Sequence, residues 1–246
     1  KEYFVDNKKD SPNLNFDTIK NESVGIAIIP HMFGIPSEIK NHNKLKIIED
    51  CAQSLGAKIN EKYVGTVGDV GIFSFYATKL MTTSGQGGMF VSKNKHLVDK
   101  VRDYREFDYR HDKKLRFNFQ MTEIQAAVGR AQLKKLPSFL KRREEIFQKY
   151  KKSGIDLLDT DPTNSKIKPV RYRAIMITDE QSRIISKLKS ENISGIIPIE
   201  EWELLNQDNN LLPNAIEFSK KTISLPIYPS LTNDDIELII SCVIQK

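Results

Sequence analysis

The chain has 246 residues, a net charge of +6 and 39% hydrophobic residues. This apolar content is enough to bury a substantial core, which excludes a disordered chain. No apolar run approaches the length of a membrane span, so we expect no membrane partner. The two cysteines, Cys51 and Cys242, lie far apart in sequence, which argues against a disulfide framework and a cysteine-type zinc site. We expect a cytoplasmic protein with no metal site.

The positive charge favours anionic partners such as nucleotides, phosphorylated cofactors or nucleic acid. The basic residues between positions 134 and 152, however, are mixed with Glu144 and Glu145 along a predicted helix. Mixed signs of charge are typical of a solvated helix face. We therefore expect no nucleic-acid surface there.

Short apolar runs alternate with polar, helix-like stretches over the first two-thirds of the chain. This alternation predicts an α/β fold whose sheet is connected by crossover helices. The predicted strands cover residues 3–5, 24–29, 46–48, 71–76 and 88–91.

A long helical region follows the predicted sheet. Thr122 and Gln125 form a capping box at its start. The next apolar residues recur at helical spacing: Ile124, Ala127, Val128 and Ala131. Pro137 predicts a break or a new first turn, after which residues 139–150 continue as helix.

A second unit is predicted from Ser153 onward. It contains a strand at 171–178, a helix at 180–190, an extended segment at 222–228 and a last helix capped by Thr232. We therefore expect a large domain over residues 1–152 and a small α+β domain over residues 153–246.

Two charged residues follow predicted strands, where ligands bind in open α/β sheets. Asp50 comes directly after the strand at 46–48, and Lys79 follows the strand at 71–76 through a short turn. On their own, the two side chains are compatible with a structural ion pair. In pyridoxal 5′-phosphate (PLP) enzymes, a lysine bonds covalently to the cofactor and a carboxylate keeps its ring nitrogen protonated. Ser74 is a candidate hydroxyl for the cofactor's phosphate.

Five stretches resemble the DegT/DnrJ/StrS family of sugar aminotransferases in both order and spacing. They are residues 48–57 (IEDCAQSLGA), 68–79 (GDVGIFSFYATK), 85–88 (GQGG), 116–127 (RFNFQMTEIQAA) and 224–229 (SLPIYP). The resemblance implies the PLP-dependent transferase fold of type I. This fold has a mixed, mostly parallel sheet flanked by helices, and a small C-terminal domain.

The resemblance also implies a role for five residues. Lys79 would hold PLP and act in catalysis, and Asp50 would contact its ring nitrogen. Gln53 would lie near the ring's exocyclic oxygen, and Ser74 would bind the phosphate. Asn118 is similar to a family asparagine that reaches the phosphate in the neighbouring subunit, which implies a homodimer.

Alternatives remain open for several of these residues. Asp50 is also compatible with a cap on a helix that begins near Cys51, and Gln53 and Asn118 with structural roles. We interpret His31 as a hydrogen-bonded structural histidine. The glycine-rich stretch 85–88 lacks the spacing of a nucleotide-binding loop, so we interpret it as a backbone turn.

The function implied by the resemblance is transfer of an amino group from glutamate to a nucleotide-linked keto-sugar. A related sugar dehydratase is disfavoured because those relatives replace the lysine with histidine, and Lys79 is present. The sugar, the nucleotide and the ring position cannot be predicted from this sequence.

Two departures from the family pattern qualify this prediction. Family members carry further residues before position 3, with a phosphate loop and an aromatic residue that stacks on the cofactor. We therefore expect weak PLP binding by residues 1–246 alone, and an inactive remnant or a regulatory protein is the alternative function. The link at 36–49 is short, so its helix is expected to be stunted or irregular.

Overall fold

The computed structural model describes residues 2–19, 25–40, 45–160, 164, 166–206, 208 and 210–244. The strands within these ranges are β1 Ile26–Pro30, β2 Lys46–Asp50, β3 Lys58–Ile59, β4 Lys62–Tyr63, β5 Val70–Ser74, β6 Gly88–Val91, β7 Ile167–Lys168, β8 Ala174–Ile177 and β9 Thr222–Leu225. The α-helices are α1 Lys95–Arg105, α2 Glu123–Lys152, α3 Gln181–Ser190, α4 Pro213–Lys221 and α5 Asn233–Ile244. None of these helices is both long enough and apolar enough to cross a membrane.

The principal sheet has the strand order β1-β2-β5-β6. Strands β1, β2 and β5 are parallel, and β6 joins the edge of β5 in the antiparallel direction. Their apolar, β-branched runs suit a sheet of this kind. The register aligns Pro30 with Asp50 and Asp50 with Ile72. The predicted α/β class, with a mixed and mostly parallel sheet, is confirmed.

The two faces of this sheet differ in burial. Side chains alternate along a strand, so Ile29 and Ile47 lie on one face, where they pack with Phe16 and Leu45 in a buried cluster. We call this the packed face. The opposite face, which we call the open face, carries Ile26 and Ile28, which are 61% and 65% exposed.

Helix α2 runs without interruption through Pro137. Its capping box between Thr122 and Gln125 is confirmed, but the predicted break at Pro137 is wrong. Proline removes only one helical hydrogen bond, and packing holds both sides of it, because Leu136 and Ile146 lie in two different buried clusters. The predicted apolar stripe faces outward, since Ile124 is 76% exposed.

The largest buried cluster surrounds the antiparallel pair β8–β9 and helices α3 and α5. Thr232 caps α5 by accepting a hydrogen bond from the Asp235 amide, as predicted. The strands are shorter than expected, because β8 begins at Ala174 and β9 ends at Leu225. The end of α2 contributes Ile146, Phe147 and Tyr150 to this cluster.

The predicted strand at residues 3–5 is wrong. This segment has no regular structure, and the nearest pairing is an isolated bridge between Asn7 and Leu14. The carboxylate of Asp6 instead accepts hydrogen bonds from the amides of Asn214 and Ala215 at the start of α4. A three-residue apolar run with no adjacent strand makes too few ladder hydrogen bonds to form a strand.

Three boundaries along the sheet differ from the predicted ones. Val24, predicted to start the first strand, lies outside the described residues, and β1 begins at Ile26. The strand predicted at 71–76 begins one residue earlier, at Val70, and ends at Ser74, after which the chain turns. The link at 36–49 has no helix over the described residues 36–40, and residues 41–44 lie outside the described part.

Candidate active site

Asp50 is the last residue of β2 and lies between the ends of β1 and β5. Its Oδ1 accepts a hydrogen bond of 2.9 Å from the Ala52 amide, which fixes the turn that follows. The alternative of a helix cap is wrong, because residues 51–57 form turns and not a helix. Its Oδ2 makes no hydrogen bond to any described residue.

Lys79 follows β5 on a turn closed by backbone hydrogen bonds. The Lys79 amide donates to Tyr76 O, and the Ala77 amide donates to the carbonyl of Gly85. Gly85 has φ +116°, a conformation that glycine adopts at little cost. The interpretation of 85–88 as a backbone turn is therefore correct at Gly85, whereas Gly88 already begins β6.

The amine of Lys79 has no ionic or hydrogen-bonding partner among the described residues. Its Nζ lies 5.5 Å from the ring centroid of Tyr172, within range of a cation–π contact. The structural ion pair with Asp50 that the sequence left open is not formed.

One buried cluster connects the two charged residues. Cys51 follows Asp50 and Leu80 follows Lys79, and both belong to the cluster that also contains Tyr172. The packing of these neighbours brings Asp50 and Lys79 to the same edge of the sheet. Sequence reasoning did not identify Tyr172, because it comes from a segment nearly a hundred residues later.

Ser74 lies on the same face as Asp50. Asp50 is in register with Ile72, and Ser74 is two residues further along β5, so all three point to the open face. The Ser74 hydroxyl oxygen accepts a long hydrogen bond of 3.3 Å from the Tyr76 amide, and its own hydrogen is available to donate.

Gln53 holds the loop that follows β1. Its Oε1 accepts a hydrogen bond of 2.7 Å from the Phe33 amide, and Phe33 has φ 57°. A large side chain seldom adopts this left-handed conformation, so this hydrogen bond and the burial of Phe33 stabilise it. The structural role left open for Gln53 is therefore present, while its amide nitrogen stays available as a donor.

Asn118 lies between α1 and α2, outside the strands of the sheet. It is exposed on a segment attached to α1, where the amides of Phe117 and Phe119 donate to Tyr104 and Arg105 carbonyls. Within the described part of the chain, its side chain makes no hydrogen bond to Asp50, Gln53, Ser74 or Lys79. The structure thus places four predicted site residues at one edge of the sheet and the fifth on the segment between α1 and α2.

The four grouped residues fit the donor set of PLP. Each of them has one group at this edge of the sheet that makes no hydrogen bond within the described chain. These groups are the amine of Lys79, one carboxylate oxygen of Asp50, the hydroxyl hydrogen of Ser74 and the side-chain amide N–H group of Gln53. PLP requires a lysine for its aldehyde, a carboxylate for its ring nitrogen and hydrogen-bond donors for its oxygens. All three kinds of group are present.

Glu49 precedes Asp50 and points to the packed face, where it is fully buried. Its two oxygens accept hydrogen bonds from four donors: the Gly65, Val67 and Gly68 amides and His31 Nε2. Burial raises the pKa of the Glu49 carboxyl, but the hydrogen bonds from His31, Gly68 and Gly65 outweigh it and hold that pKa below its ordinary value.

His31 is a structural histidine, as predicted. Its Nδ1 accepts a hydrogen bond from the Ser37 amide, so Nε2 carries the proton that it donates to Glu49. The thiol of Cys51 lies near this pair, and burial raises its pKa far above the usual range. Because four donors already occupy the oxygens of Glu49, we assign this cluster a structural role.

A cavity of about 590 Å³ lies beside the lysine turn. Its lining includes Thr78, Tyr172 and two arginines, Arg143 and Arg173. Sequence reasoning missed it and interpreted the basic residues at 134–152 as a solvated helix face. That interpretation is wrong for Arg143, which is buried and donates to the carbonyls of Arg171 and Tyr172.

The chain is similar to curated relatives over nearly all of its length. An uncharacterized protein of Methanocaldococcus jannaschii is 32% identical over 99% of this chain and 73% of that protein. GDP-perosamine synthase of Escherichia coli O157:H7 is 29% identical over 95% of this chain and 69% of that enzyme. The chain thus spans about 70% of the length of these two relatives.

Solved structures share the fold. DesV of S. venezuelae superimposes with a TM-score of 0.84 at 26% identity, over 95% of this chain and 69% of that one. The sequence profile described as the DegT/DnrJ/EryC1/StrS aminotransferase family matches residues 1–244. The chain therefore belongs to the DegT/DnrJ/EryC1/StrS aminotransferase family, whose cofactor is pyridoxal 5′-phosphate.

Proposed function

We propose that this protein transfers an amino group from glutamate to a nucleotide-linked keto-sugar, with Lys79 as the catalytic residue. The observation that carries the proposal is the Lys79 amine, which has no ionic or hydrogen-bonding partner in the described chain and lies over Tyr172 beside the end of β2. The relative GDP-perosamine synthase is named for a nucleotide-linked sugar product, which supports this substrate class.

Each grouped residue has a proposed role toward the cofactor. When bound, PLP supplies an electron-accepting ring that makes exchange of the amino group feasible. Asp50 would hold the proton of the ring nitrogen through its unpaired Oδ2, and Ser74 would donate to the phosphate. Gln53 would donate its amide N–H group to the ring's exocyclic oxygen. Lys79 would bind the cofactor covalently and then carry the substrate proton.

We propose a homodimer in which Asn118 of one subunit contacts the phosphate in the other. The exposure of Asn118, whose side chain makes no hydrogen bond to the other four residues, supports this arrangement. Two apolar residues close in sequence are also exposed. Phe119 follows Asn118 directly, and Ile124 lies at the start of α2. Exposed apolar patches of this kind are typical of protein–protein interfaces.

The proposed domain division remains 1–152 and 153–246, and the proposed location is the cytoplasm. The antiparallel β8–β9 pair with α3 and α5 forms the core of the second unit. The end of α2 would then connect the domains, because its last turns pack in that same cluster.

The function is tested by measuring formation of 2-oxoglutarate. The protein is given one equivalent of PLP per subunit and incubated with glutamate, first alone and then with a panel of nucleotide-linked keto-sugars. The proposal predicts at most one 2-oxoglutarate per subunit without a sugar, and many with an accepted sugar. The matched variants are Lys79→Ala, which should form 2-oxoglutarate at least about 10²-fold more slowly, and the exposed Lys95→Ala, which should behave as the wild type.

The same assay distinguishes the alternative function. An inactive remnant or a regulatory protein would produce no 2-oxoglutarate under either condition, although the chain is folded. That result would contradict the proposed aminotransferase activity. Turnover with an amino donor other than glutamate would contradict only the identity of the donor.

A further inference from the structure

Arg143 is a buried cation without a counterion among the described residues. It is 9% exposed, and its Nη1 donates to the carbonyls of Arg171 and Tyr172 at 3.2 and 3.1 Å. Its Nε is buried and has no hydrogen-bond partner in the described part of the chain. A buried guanidinium normally has a carboxylate or another anion beside it, because burial disfavours an uncompensated charge.

A second guanidinium lines the same cavity. Arg173 donates from Nη1 to the Ser224 hydroxyl at 3.1 Å, while its Nε is buried without a partner among the residues described. The carbon at the centre of this guanidinium lies 5.7 Å from the ring centroid of Tyr172. The Nη2 group of each arginine also makes no hydrogen bond to a described residue and, unlike Nε, is not buried. Two guanidinium groups with unused donors therefore line one cavity, from α2 and from the segment before β8.

The arrangement of these arginines differs from that of a structural arginine nearby. Arg171 is as buried as Arg143, but it forms ion pairs with Glu144 and Asp159 at 2.8 and 2.6 Å. Its charge is therefore compensated within the chain. Arg143 and Arg173 form no ion pair with any described residue, which leaves room for an external anion.

The charge of the cavity favours a carboxylate over a phosphate. Two acidic residues, Glu191 and Asp235, also line it. Asp235 accepts hydrogen bonds from the amide and hydroxyl of Thr232, so it is committed to capping α5. Two cations and two acids give a formal charge near zero. A cavity with so little net charge accommodates a singly charged carboxylate better than a diphosphate.

We propose that Arg143 and Arg173 bind a carboxylate of the amino donor in this cavity. Thr78 also lines the cavity and immediately precedes Lys79, so a donor held there would lie beside the lysine turn. Guanidinium groups recognise carboxylates through two parallel hydrogen bonds, which would also orient the donor. The inference rests on the proposed function, since it assigns a place to the amino donor of that reaction.

The test is calorimetric titration of the full chain with glutamate, and separately with pyrophosphate, in the absence of PLP. Arg173→Gln and Arg143→Lys should each weaken glutamate binding by about ten- to a hundred-fold. Arg130→Gln removes an exposed guanidinium from the same helix and should leave binding unchanged. The thermal midpoint of Arg173→Gln should match that of the wild type, because this side chain makes a single hydrogen bond to protein.

Several outcomes would overturn the inference. The first is that the wild type binds no detectable glutamate. The second is that the wild type and Arg173→Gln bind glutamate equally well. The third is that pyrophosphate binds more tightly than glutamate and that its binding depends on the arginines. Unfolding of Arg143→Lys would leave the decision to Arg173→Gln. Covalent trapping of PLP on Lys79, measured in the same variants, separates the two proposals. If PLP is not trapped on Lys79 but glutamate still binds in a way that depends on the arginines, the proposed function is contradicted and the carboxylate site is not.

Discussion

Glu49 and Asp50 are neighbouring carboxylates at the end of one strand, and their surroundings are opposite. Glu49 points to the packed face, where four donors occupy its oxygens. Asp50 points to the open face, where one oxygen fixes a turn and the other has no partner in the described chain. The comparison shows that a structural carboxylate has its hydrogen-bonding capacity filled by the protein, whereas a ligand-binding one keeps part of it available.

The largest expected effect is on transamination and concerns Lys79, whose amine, like the second oxygen of Asp50, has no hydrogen-bonding partner in the described chain. Replacing Lys79 with alanine should reduce transamination by about 10²–10⁴-fold or more, because this variant removes both the covalent attachment and the proton carrier. Folding should be unaffected, since the Lys79 amine makes no ion pair or hydrogen bond within the described residues. Formation of 2-oxoglutarate and urea unfolding measure the two quantities. Activity retained within ten-fold would contradict the assignment.

The next largest effect is on stability and concerns Glu49, whose two oxygens accept hydrogen bonds from four donors. Replacing Glu49 with alanine should lower the free energy of unfolding by about 3–5 kcal/mol, because it breaks a buried pair and leaves three backbone amides without an acceptor. Urea unfolding monitored by circular dichroism measures this change. A loss below about 1 kcal/mol would show that Glu49 does not hold β2 against the segment that contains the Gly65, Val67 and Gly68 amides.

Acid should weaken the same network. Because hydrogen bonds hold the pKa of Glu49 below its ordinary value of 4.5, its ionised form stabilises the fold above that pH. This contribution should be lost as the pH falls from the unfolded-state pKa through the lower, folded-state pKa. Unfolding free energies measured from pH 7 to pH 3 should fall less steeply in Glu49→Gln. Parallel curves for the two proteins would contradict this role of Glu49.

The smallest effect on stability is expected at Asp50. Asp50→Asn keeps the oxygen that accepts from Ala52, so the free energy of unfolding should change by less than about 1 kcal/mol. Transamination should nevertheless fall, because a neutral amide cannot keep the cofactor's ring nitrogen protonated. Stability and 2-oxoglutarate formation are measured on the same preparation. A large stability loss would place Asp50 with Glu49 as a structural residue.

Much of the sheet and its edge could be predicted from the sequence. The apolar runs that form β2 and β6 and the cap at Thr232 are local signals, and they predict local structure correctly. The position of Asp50 at a strand end is also local. Its place at the same sheet edge as the turn that carries Lys79 follows from the rule that carboxyl ends of parallel strands meet at one edge.

Other features depend on contacts that are distant in sequence. Sequence reasoning missed helix α1, although Leu97, Val101 and Tyr104 recur there at helical spacing, and this helix buries none of its residues in the described structure. Pro137 stays within a helix because packing at both ends of α2 outweighs one missing hydrogen bond. In the sequence, Arg143 is one of many basic residues on a charged helix. Its burial depends on hydrogen bonds to carbonyl groups that lie nearly thirty residues further along the chain.

The most direct test of the site is covalent trapping. The protein is incubated with PLP, reduced with borohydride, digested and analysed by peptide mass spectrometry. We predict a pyridoxyl group on the peptide that contains Lys79, with Lys79→Ala unlabelled there. Labelling of another lysine, such as the exposed Lys46 or Lys95, with Lys79 unmodified would contradict the assignment of Lys79 as the cofactor-binding residue.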